Sequence, residues 1–365
     1  MLDRRAIYHF DGTLVATALL LALIGVAMIY STGGEVAPAW RRAMYLRQLL
    51  WIVFGIGGLL LCLTVKWGTM VRLSYLLYGL NLLLLLLVLW LGKRGLGAQR
   101  WLALGPLSLQ PSELMKISLL LALAKYLGER GGEVRRPRGL VVPLLLALVP
   151  SLLVLRQPDL GTAIVLLVLG LGMIFLSGLP WVYLFYSALL GFVGLPFFWS
   201  LLRDYQRERI VAFLNPSRDP LGSGYHIIQS RIAVGSGKLW GKGWMAASQS
   251  QLNFLPEHHT DFIFAVSAEQ FGFLGSVVIL LLYLVLISRG LRIANQASDL
   301  FSGLLAGGIV ILFLFQVVVN VGMVSGLLPV VGIPLPLMSY GGTSMVVTMM
   351  AIGLLLNIRL RKYLY

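Results

Sequence analysis

Charged residues and cysteines are scarce in this sequence. Charged side chains make up 12% of its 365 residues and hydrophobic ones 58%, against about 25% and about 45–50% in soluble domains. The single cysteine, Cys62, lies inside an apolar run, which excludes a disulfide framework and a cysteine-based zinc site. The mean hydropathy of +0.88 and recurring apolar runs of about 18–25 residues indicate an integral membrane protein of spanning helices, not a β-barrel.

Acidic residues are scarce as well, with 14 Asp and Glu against 29 Lys and Arg, which gives a net charge of +15. The basic residues gather in short loops, as the positive-inside rule and anionic lipid headgroups require. We therefore predict contact with membrane lipid, no nucleic-acid partner, and cytoplasmic termini. The opposite loops also carry basic residues, Arg47 and Arg100 among them. These indicate either an anionic ligand at the outer face or arginines that snorkel from helix ends.

The apolar runs predict an all-α polytopic membrane protein with about ten transmembrane helices. The predicted spans are approximately 12–31, 46–65, 70–91, 112–128, 140–156, 158–178, 181–202, 261–288, 300–325 and 341–358. The first run is too long for a signal peptide and is interpreted as an uncleaved span. Residues 1–365 are predicted to form one membrane domain. Its one large loop, at about 203–260, is external and joins helices 7 and 8, and the stretch at about 92–111 is predicted to be re-entrant or interfacial.

The large loop contains two predicted helices and a stretch rich in glycine and lysine. The helices are Tyr205 to Leu214 and Tyr225 to Val234. The stretch from Gly235 to Trp244 superficially resembles a phosphate-binding loop, but five residues instead of four separate Gly235 from the Gly-Lys pair. No predicted strand precedes it, so nucleotide binding is excluded. The alternatives are a plain turn and a flexible basic loop near a lipid diphosphate.

A polar stretch, 252–264, separates the large loop from the next apolar run. It places Glu257, His258, His259 and Asp261 within five positions. Adjacent histidines cannot share one face of a helix, and no His-x-x-x-His spacing is present, so we predict no dedicated zinc site. A loosely held Mg²⁺ or Mn²⁺ near Asp261, shared with phosphates of a substrate, is the more plausible metal interaction because hard cations bind in that way.

Asp261 stands where a helix enters the membrane, a costly position for a charge. One interpretation is an N-cap, since an acidic residue there satisfies free backbone N–H groups. The other is a general base, for which a carboxylate is required. The two roles are compatible. Glu269 lies about 12 Å deeper on the same helix, too far to form a catalytic pair, and is interpreted as an intramembrane hydrogen-bonding residue.

Further charged residues occur at predicted helix starts. Glu113 fits a helix first turn, with Lys116 three residues on. A buried Lys or Asp needs a partner, so Lys116 and Asp159 are predicted to form a salt bridge between helices; the alternative is that both line a cavity and contact substrate. The segment 332–344, which includes Ser339, contains two prolines that break the backbone at membrane depth and is predicted to form a cavity wall.

Seven stretches of the sequence together resemble the SEDS family of bacterial shape, elongation, division and sporulation proteins. They are Gln99-Arg100-Trp101, Gln110 to Lys116, Gln157 to Ala163, Tyr205 to Pro216, Gly224 to Gly237, Leu255 to Phe264 and Pro336 to Ser344. They span nearly the full length in the family's order. Tyr225 to Ser230 and Ser248 to Glu257 look more like the elongation branch of the family than the division branch.

The resemblance implies a peptidoglycan glycosyltransferase of the bacterial cytoplasmic membrane that polymerises lipid II at the outer face during cell elongation. It implies a class B penicillin-binding protein and elongation-complex membrane proteins as partners, with Asp261 at the position of the family's essential acid. An inverting transfer with undecaprenyl diphosphate as leaving group needs a base, which Asp261 supplies. It also needs positive charge, from Arg47, Arg100, Lys116 or a divalent cation.

The remaining predicted cavity residues are Glu113, Asp159, Glu257, His259 and Ser339. A lipid II flippase is the alternative function, because intramembrane charges and broken helices also suit a transporter. Against it, the polar residues lie at one face and the sequence shows no inverted repeat. A scaffold that recruits cell-wall enzymes explains neither Asp261 nor the buried charges at Lys116 and Asp159.

Overall fold

Apolar helices make up most of the structure, a computed structural model. It describes residues 10–32, 43–95, 98–104, 107–130, 137–183, 185–186, 189, 193–194, 199–200, 204–219, 224–247, 249 and 259–361. Among these residues, seven helices are long and apolar enough to cross a membrane. The chain is therefore a polytopic membrane protein, as its composition predicts.

Eleven helices are numbered here in chain order, within the described ranges. They are α1 (Gly12–Thr32), α2 (Met44–Thr64), α3 (Trp67–Leu91), α4 (Pro111–Arg130), α5 (Pro137–Arg156), α6 (Leu160–Leu176), α7 (Asp204–Leu214), α8 (Tyr225–Ser236), α9 (Ile263–Asn295), α10 (Leu300–Val324) and α11 (Gly342–Arg361). Each predicted span other than 181–202 coincides with one of them, and 181–202 lies largely outside the described residues. Both helices predicted within the large loop are present, as α7 and α8.

The segment predicted to be re-entrant or interfacial is a small antiparallel sheet. Its strands are β1 (Lys93–Gly95), β2 (Ala98–Leu104) and β3 (Leu107–Leu109), in the order β1-β2-β3. Leu102 faces Leu109 across the second pair. The sheet leads directly into α4 and so determines where that helix begins.

Close packing of α2 against α11 forms one wall of the bundle. A Cβ added to Gly353 would lie 2.5 Å from the Leu59 carbonyl oxygen, and one added to Gly55 would lie 2.9 Å from Cγ of Met349. Small residues of this kind let membrane helices approach closely. The Asn357 amide then donates to the Cys62 carbonyl at 2.8 Å, which satisfies a backbone group at the end of α2.

Ion pairs tie several helix ends together at one end of the bundle. Asp11, only 2% exposed, contacts Arg359 and lies 3.9 Å from Arg289. Asp299 caps α10 by accepting from the Ser302 N–H at 2.9 Å, and it also accepts from Arg361 at 3.1 Å. Since α11 ends at this cluster, its first residues lie at the opposite end of the bundle, where the polar cavity is found.

Candidate active site

A polar cavity of about 350 Å³ opens at the end of the bundle where α11 begins. Its wall combines the start of α4, the start of α6, one face of α7, the turn before α9, and the segment 331–341. Its charged lining residues are Arg100, Glu113, Asp159, Arg209 and Asp261. Two guanidinium groups and three carboxylates therefore share one concave site inside an apolar bundle.

Asp261 lies in the turn 259–262 immediately before α9. That helix begins at Ile263, and Phe262 occupies its N-cap position. Asp261 therefore precedes the N-cap position by one residue, and Phe262 makes no side-chain capping hydrogen bond, so the predicted N-cap interpretation of Asp261 is wrong. The carboxylate is one of the cavity-lining groups, the location that the general-base interpretation requires.

Backbone hydrogen bonds fix the turn that carries Asp261. The amide of Asn320, a fully buried residue of α10, donates to the Asp261 carbonyl at 2.9 Å and to the Ile333 carbonyl at 2.8 Å. The Ser339 hydroxyl donates to the Thr260 carbonyl at 2.6 Å. These bonds satisfy non-helical backbone groups at membrane depth, where an unpaired group is costly, and so hold the turn in place.

The segment 332–344 is the predicted cavity wall; several of its residues line the cavity, and it approaches Asp261 closely at Gly332. Gly332 has φ +73, a conformation that favours glycine. A Cβ at this position would lie 3.2 Å from Oδ2 of Asp261. The absence of a side chain at Gly332 therefore leaves room for the Asp261 carboxylate. Ser339 also accepts from the Leu335 N–H at 2.8 Å, so the predicted cavity residue Ser339 organises the wall through backbone contacts.

Asp159 orients Arg100 toward the cavity. Asp159 is the N-cap of α6 and accepts from the Thr162 N–H at 3.2 Å and the Thr162 hydroxyl at 3.0 Å. Its Oδ1 lies 3.8 Å from a guanidinium nitrogen of Arg100. Arg100 also donates to the Pro158 carbonyl. The guanidinium is thus held at the start of α6 by one carboxylate and by backbone.

The predicted salt bridge between Lys116 and Asp159 is wrong. Both residues are described, and Lys116 instead places Nζ 2.5 Å from Oε1 of Glu113, one turn earlier on α4. Lys116 and Glu113 are 2% and 4% exposed. The i,i+3 spacing already brings the two side chains together, and Asp159 is satisfied at its own helix start. Glu113 lines the cavity, and the ammonium group of Lys116 neutralises the charge of its carboxylate.

The other predicted site residues are dispersed. Among the described residues, Arg47 is exposed on α2 and is not part of the cavity lining. His259 lies in the Asp261 turn, with its ring 5.8 Å from that of Tyr340, and its carbonyl accepts from the Tyr340 N–H at 2.9 Å. Glu257 and His258 lie outside the described residues. Within the described ranges, no group of three or more His, Cys, Asp or Glu could hold a metal ion.

Arg209 is a cavity residue that the sequence reasoning did not single out. It lies on α7, donates to the Val330 carbonyl at 3.3 Å and is one of the residues that line the cavity. The pattern from Tyr205 to Leu214 predicts this helix but not which of its two arginines, Arg207 and Arg209, faces the cavity. The inward direction of Arg209 is visible only in the fold, where α7 lies beside Val330.

An apolar groove of about 300 Å³ adjoins the polar cavity. Its lining residues are Trp51, Phe54, Ser108, Leu109, Leu114, Thr343, Val346 and Val347. Leu109 and Thr343 directly precede the cavity residues Gln110 and Ser344, and the Gln110 N–H donates to the Thr343 hydroxyl at 3.2 Å. A polar site and an apolar groove therefore share one wall, an arrangement that fits an amphiphilic molecule.

An apolar helix bundle with carboxylates and guanidinium groups in a cavity at one end defines a polytopic membrane protein with a charged site at one end of its bundle. The family model FTSW_RODA_SPOVE, described as "Cell cycle protein", matches residues 12–364. The chain belongs to this family, and the resemblance drawn from its seven motifs is confirmed.

Named relatives and solved structures agree with this assignment. The chain is 42% identical over 357 residues to "Peptidoglycan glycosyltransferase MrdB" of Escherichia coli (strain K12), covering 97% of this chain and 94% of that protein. It is 41% identical over 357 residues to "Stage V sporulation protein E" of Bacillus subtilis (strain 168), covering 95% and 96%.

Two solved structures share the fold over 97% of this chain and 98% of theirs. The crystal structure of the rod shape determining protein RodA of Thermus thermophilus has a TM-score of 0.73 and 34% sequence identity. A chain from a study of the structural coordination of polymerization and crosslinking by a peptidoglycan synthase complex has a TM-score of 0.84 and 35% identity. The predicted polytopic fold is thereby confirmed.

Proposed function

We propose that this chain is a peptidoglycan glycosyltransferase that polymerises lipid II at the outer face of the bacterial cytoplasmic membrane. One observation carries the proposal: Asp261 is held by its backbone at the wall of a cavity that also contains two guanidinium groups. The relative named above as a peptidoglycan glycosyltransferase matches 97% of this chain. The cavity lies at the end of the bundle opposite the basic cluster of Arg289, Arg359 and Arg361. Because basic residues favour the cytoplasmic side, we place that cluster and both termini in the cytoplasm, which puts the cavity at the outer face.

Asp261 acts as the general base. The acceptor hydroxyl loses its proton to the Asp261 carboxylate as its oxygen forms a bond to the anomeric carbon of the donor sugar. The bond from that carbon to the diphosphate oxygen breaks on the opposite face, so the transfer inverts the configuration. General-base catalysis of this kind contributes about 10²–10⁴-fold to a rate.

Arg100 and Arg209 supply positive charge for the departing diphosphate. Guanidinium groups suit phosphate because they donate two parallel hydrogen bonds and keep their charge. Arg100 is already oriented by Asp159 at 3.8 Å and by backbone carbonyls at the start of α6. Fixed donors at a site of developing negative charge stabilise a transition state without reorganisation. Lys116 contributes indirectly, by neutralising Glu113.

The apolar groove provides for the lipid part of the substrate. Its wall is shared with the polar cavity through Leu109 and Thr343. Phe54, which lines it, is 55% exposed on the outer surface of α2, so the groove meets the surrounding lipid. A diphosphate in the polar cavity then leaves its polyprenyl chain next to apolar side chains at the bundle surface.

A divalent cation, Mg²⁺ or Mn²⁺, fits beside Asp261. Mg²⁺ commonly binds through one or two carboxylates, substrate phosphates and several waters, and Asp261 provides such a carboxylate at the cavity wall. We assign Asp261 as the protein ligand because its residue lines the cavity at the turn before α9. A bound cation would neutralise charge on the leaving diphosphate.

We also assign a class B penicillin-binding protein and elongation-complex membrane proteins as partners. The support is the similarity to a chain from a peptidoglycan synthase complex that coordinates polymerization and crosslinking, and to RodA, a rod shape determining protein. A glycosyltransferase in such a complex would deliver glycan strands to the crosslinking partner at the outer face. Copurification of the two proteins from the membrane tests this assignment.

The test is polymerisation of labelled lipid II by the purified protein with its partner, followed by gel. The wild type is expected to form glycan strands, and Asp261→Asn none, because Asn cannot accept the proton. Asp299→Asn is the matched control, since it changes an Asp at the far end of the bundle and Asn is as good an N-cap. Normal strands from Asp261→Asn would remove Asp261 as the base. Movement of lipid II across vesicles without strand formation would favour the flippase alternative.

A further inference from the structure

Helix α9 is broken ten residues after it leaves the Asp261 turn. Gly272, inside Ile263–Asn295, has φ 65 and ψ −158, a conformation far from helical that favours glycine. The residues 263–271 therefore form a separate half-helix, and Asp261 lies two residues before its first residue. Because the helical hydrogen-bond ladder is interrupted at Gly272, the long second half of α9 does not by itself fix the direction of this half-helix.

The turn 237–243, which follows α8, fills the break. The N–H groups of Lys242 and Gly243 donate to the carbonyls of Glu269 and Gln270 at 2.9 and 3.0 Å. In the other direction, the Phe273 N–H donates to the Lys238 carbonyl at 2.8 Å. The backbone groups that a helix break leaves open are thus satisfied by a segment of the external loop.

The contact is one of backbone against backbone, and it accounts for the glycines of this turn. A Cβ on Gly237 would lie 2.0 Å from the Ala268 carbonyl oxygen, and one on Gly241 would lie 2.1 Å from the Gln270 carbonyl oxygen. Neither position has room for a side chain. The Gly- and Lys-rich stretch therefore docks into a helix break.

One ion pair, buried at its Glu269 end and with the Lys242 side chain 30% exposed, joins the turn to the half-helix. Glu269 is fully buried, and its Oε1 lies 2.6 Å from Nζ of Lys242. The same oxygen accepts from the Gln249 N–H at 3.3 Å and from the Ser236 hydroxyl at 3.5 Å. A buried carboxylate is costly unless it is paired and hydrogen-bonded. Glu269 thus links the half-helix after Asp261 to the end of α8, to the turn 237–243 and to Gln249.

We infer that Glu269 and Lys242 are positioning residues for Asp261, an inference that rests on the proposed function. Their ion pair fixes the inner end of the half-helix, while Asn320 and Ser339 hold its outer end. Glu269 lies about 12 Å from Asp261 along the helix axis, so a tilt of about 5° moves the carboxylate by roughly 1 Å. A displacement of that size at a reacting group can cost about 10²-fold in rate.

The experiment compares Lys242→Met, Lys242→Arg and the control Arg361→Met, which breaks the ion pair with Asp299 at the other end of the bundle. We expect Lys242→Met to lower kcat for lipid II polymerisation at least about tenfold, with KM within about twofold. Lys242→Arg keeps the charge and is expected to recover most of kcat. Glu269→Gln is expected to behave like Lys242→Met, and the Arg361→Met control like the wild type.

Amide hydrogen exchange gives a second readout that does not depend on activity. In Lys242→Met, exchange in 263–271 is expected to be at least about tenfold faster, with the helices α10 and α11 unchanged. Unchanged exchange there, or an equal loss of kcat in the Arg variant and the Met variant, would overturn the inference. If the wild type itself makes no glycan strands, the proposed function fails, while the exchange result still tells whether the ion pair holds the half-helix.

Discussion

The buried pair of Glu113 and Lys116 gives a quantitative prediction about the stability of the bundle. Both side chains are almost fully buried, and Nζ lies 2.5 Å from Oε1. Removing one partner leaves the other charge buried without compensation, which costs about 3–5 kcal/mol. Lys116→Met is therefore expected to lower the free energy of unfolding by about that amount, measured by denaturant titration of the purified protein. Activity is expected to fall as well, because Glu113 reaches the cavity.

A double-mutant cycle decides which acid is the partner. Combining Lys116→Met with Glu113→Gln removes both charges, so most of the lost stability is expected to return. Combining Lys116→Met with Asp159→Asn is expected to be additive within about 0.5 kcal/mol, since those residues share no contact. Recovery in the Asp159 combination and additivity in the Glu113 combination would refute the pairing that the structure shows.

Two further predictions concern charge at the leaving group. Arg209→Gln is expected to lower kcat/KM about 10²-fold, as loss of one fixed donor to a developing anion does; Arg207→Gln is the control, because Arg207 on the same helix donates to the Trp199 and Ser200 carbonyls. Equal activity of the two variants would exclude Arg209 from diphosphate binding. Chelation of divalent cations is expected to abolish strand formation and added Mg²⁺ or Mn²⁺ to restore it, and full activity in chelator would remove the cation from the mechanism.

The helices of this protein could be predicted from the sequence because each is a long apolar run with polar ends. Their bounds agree with the structure to within a few residues for most spans. The sheet at 93–109 could not, because its strands are short and carry no long alternating pattern. The break at Gly272 was also missed, since glycine is frequent in unbroken membrane helices. What identifies it is the backbone of the turn 237–243 inside the break, which is a contact distant in sequence.

The sequence predicts most of the charged residues that line the cavity, but not which of the charged side chains form ion pairs with one another. Asp261, Arg100, Glu113 and Asp159 all line the cavity, whereas Arg47, also near the end of an apolar run, is exposed on α2 and is not among the lining residues. The partner of Lys116 was wrong because two acids lay within reach and the choice depended on how α6 caps its own start. Arg209 was missed because the amphipathic pattern of α7 does not tell which neighbour its polar face meets.

Backbone hydrogen bonds position Asp261, so a substitution of its side chain tests the chemistry of the carboxylate separately from the position of the turn. The carbonyl of Asp261 is held by Asn320, and the preceding carbonyls of Thr260 and His259 are held by Ser339 and the Tyr340 N–H. None of these bonds uses the side chain at 261, so an Asn there keeps all of them. A loss of strand formation in Asp261→Asn at unchanged stability would therefore report on the chemistry of the carboxylate and not on its placement. Asn320→Leu tests the converse, since it keeps the carboxylate and removes a donor that holds it.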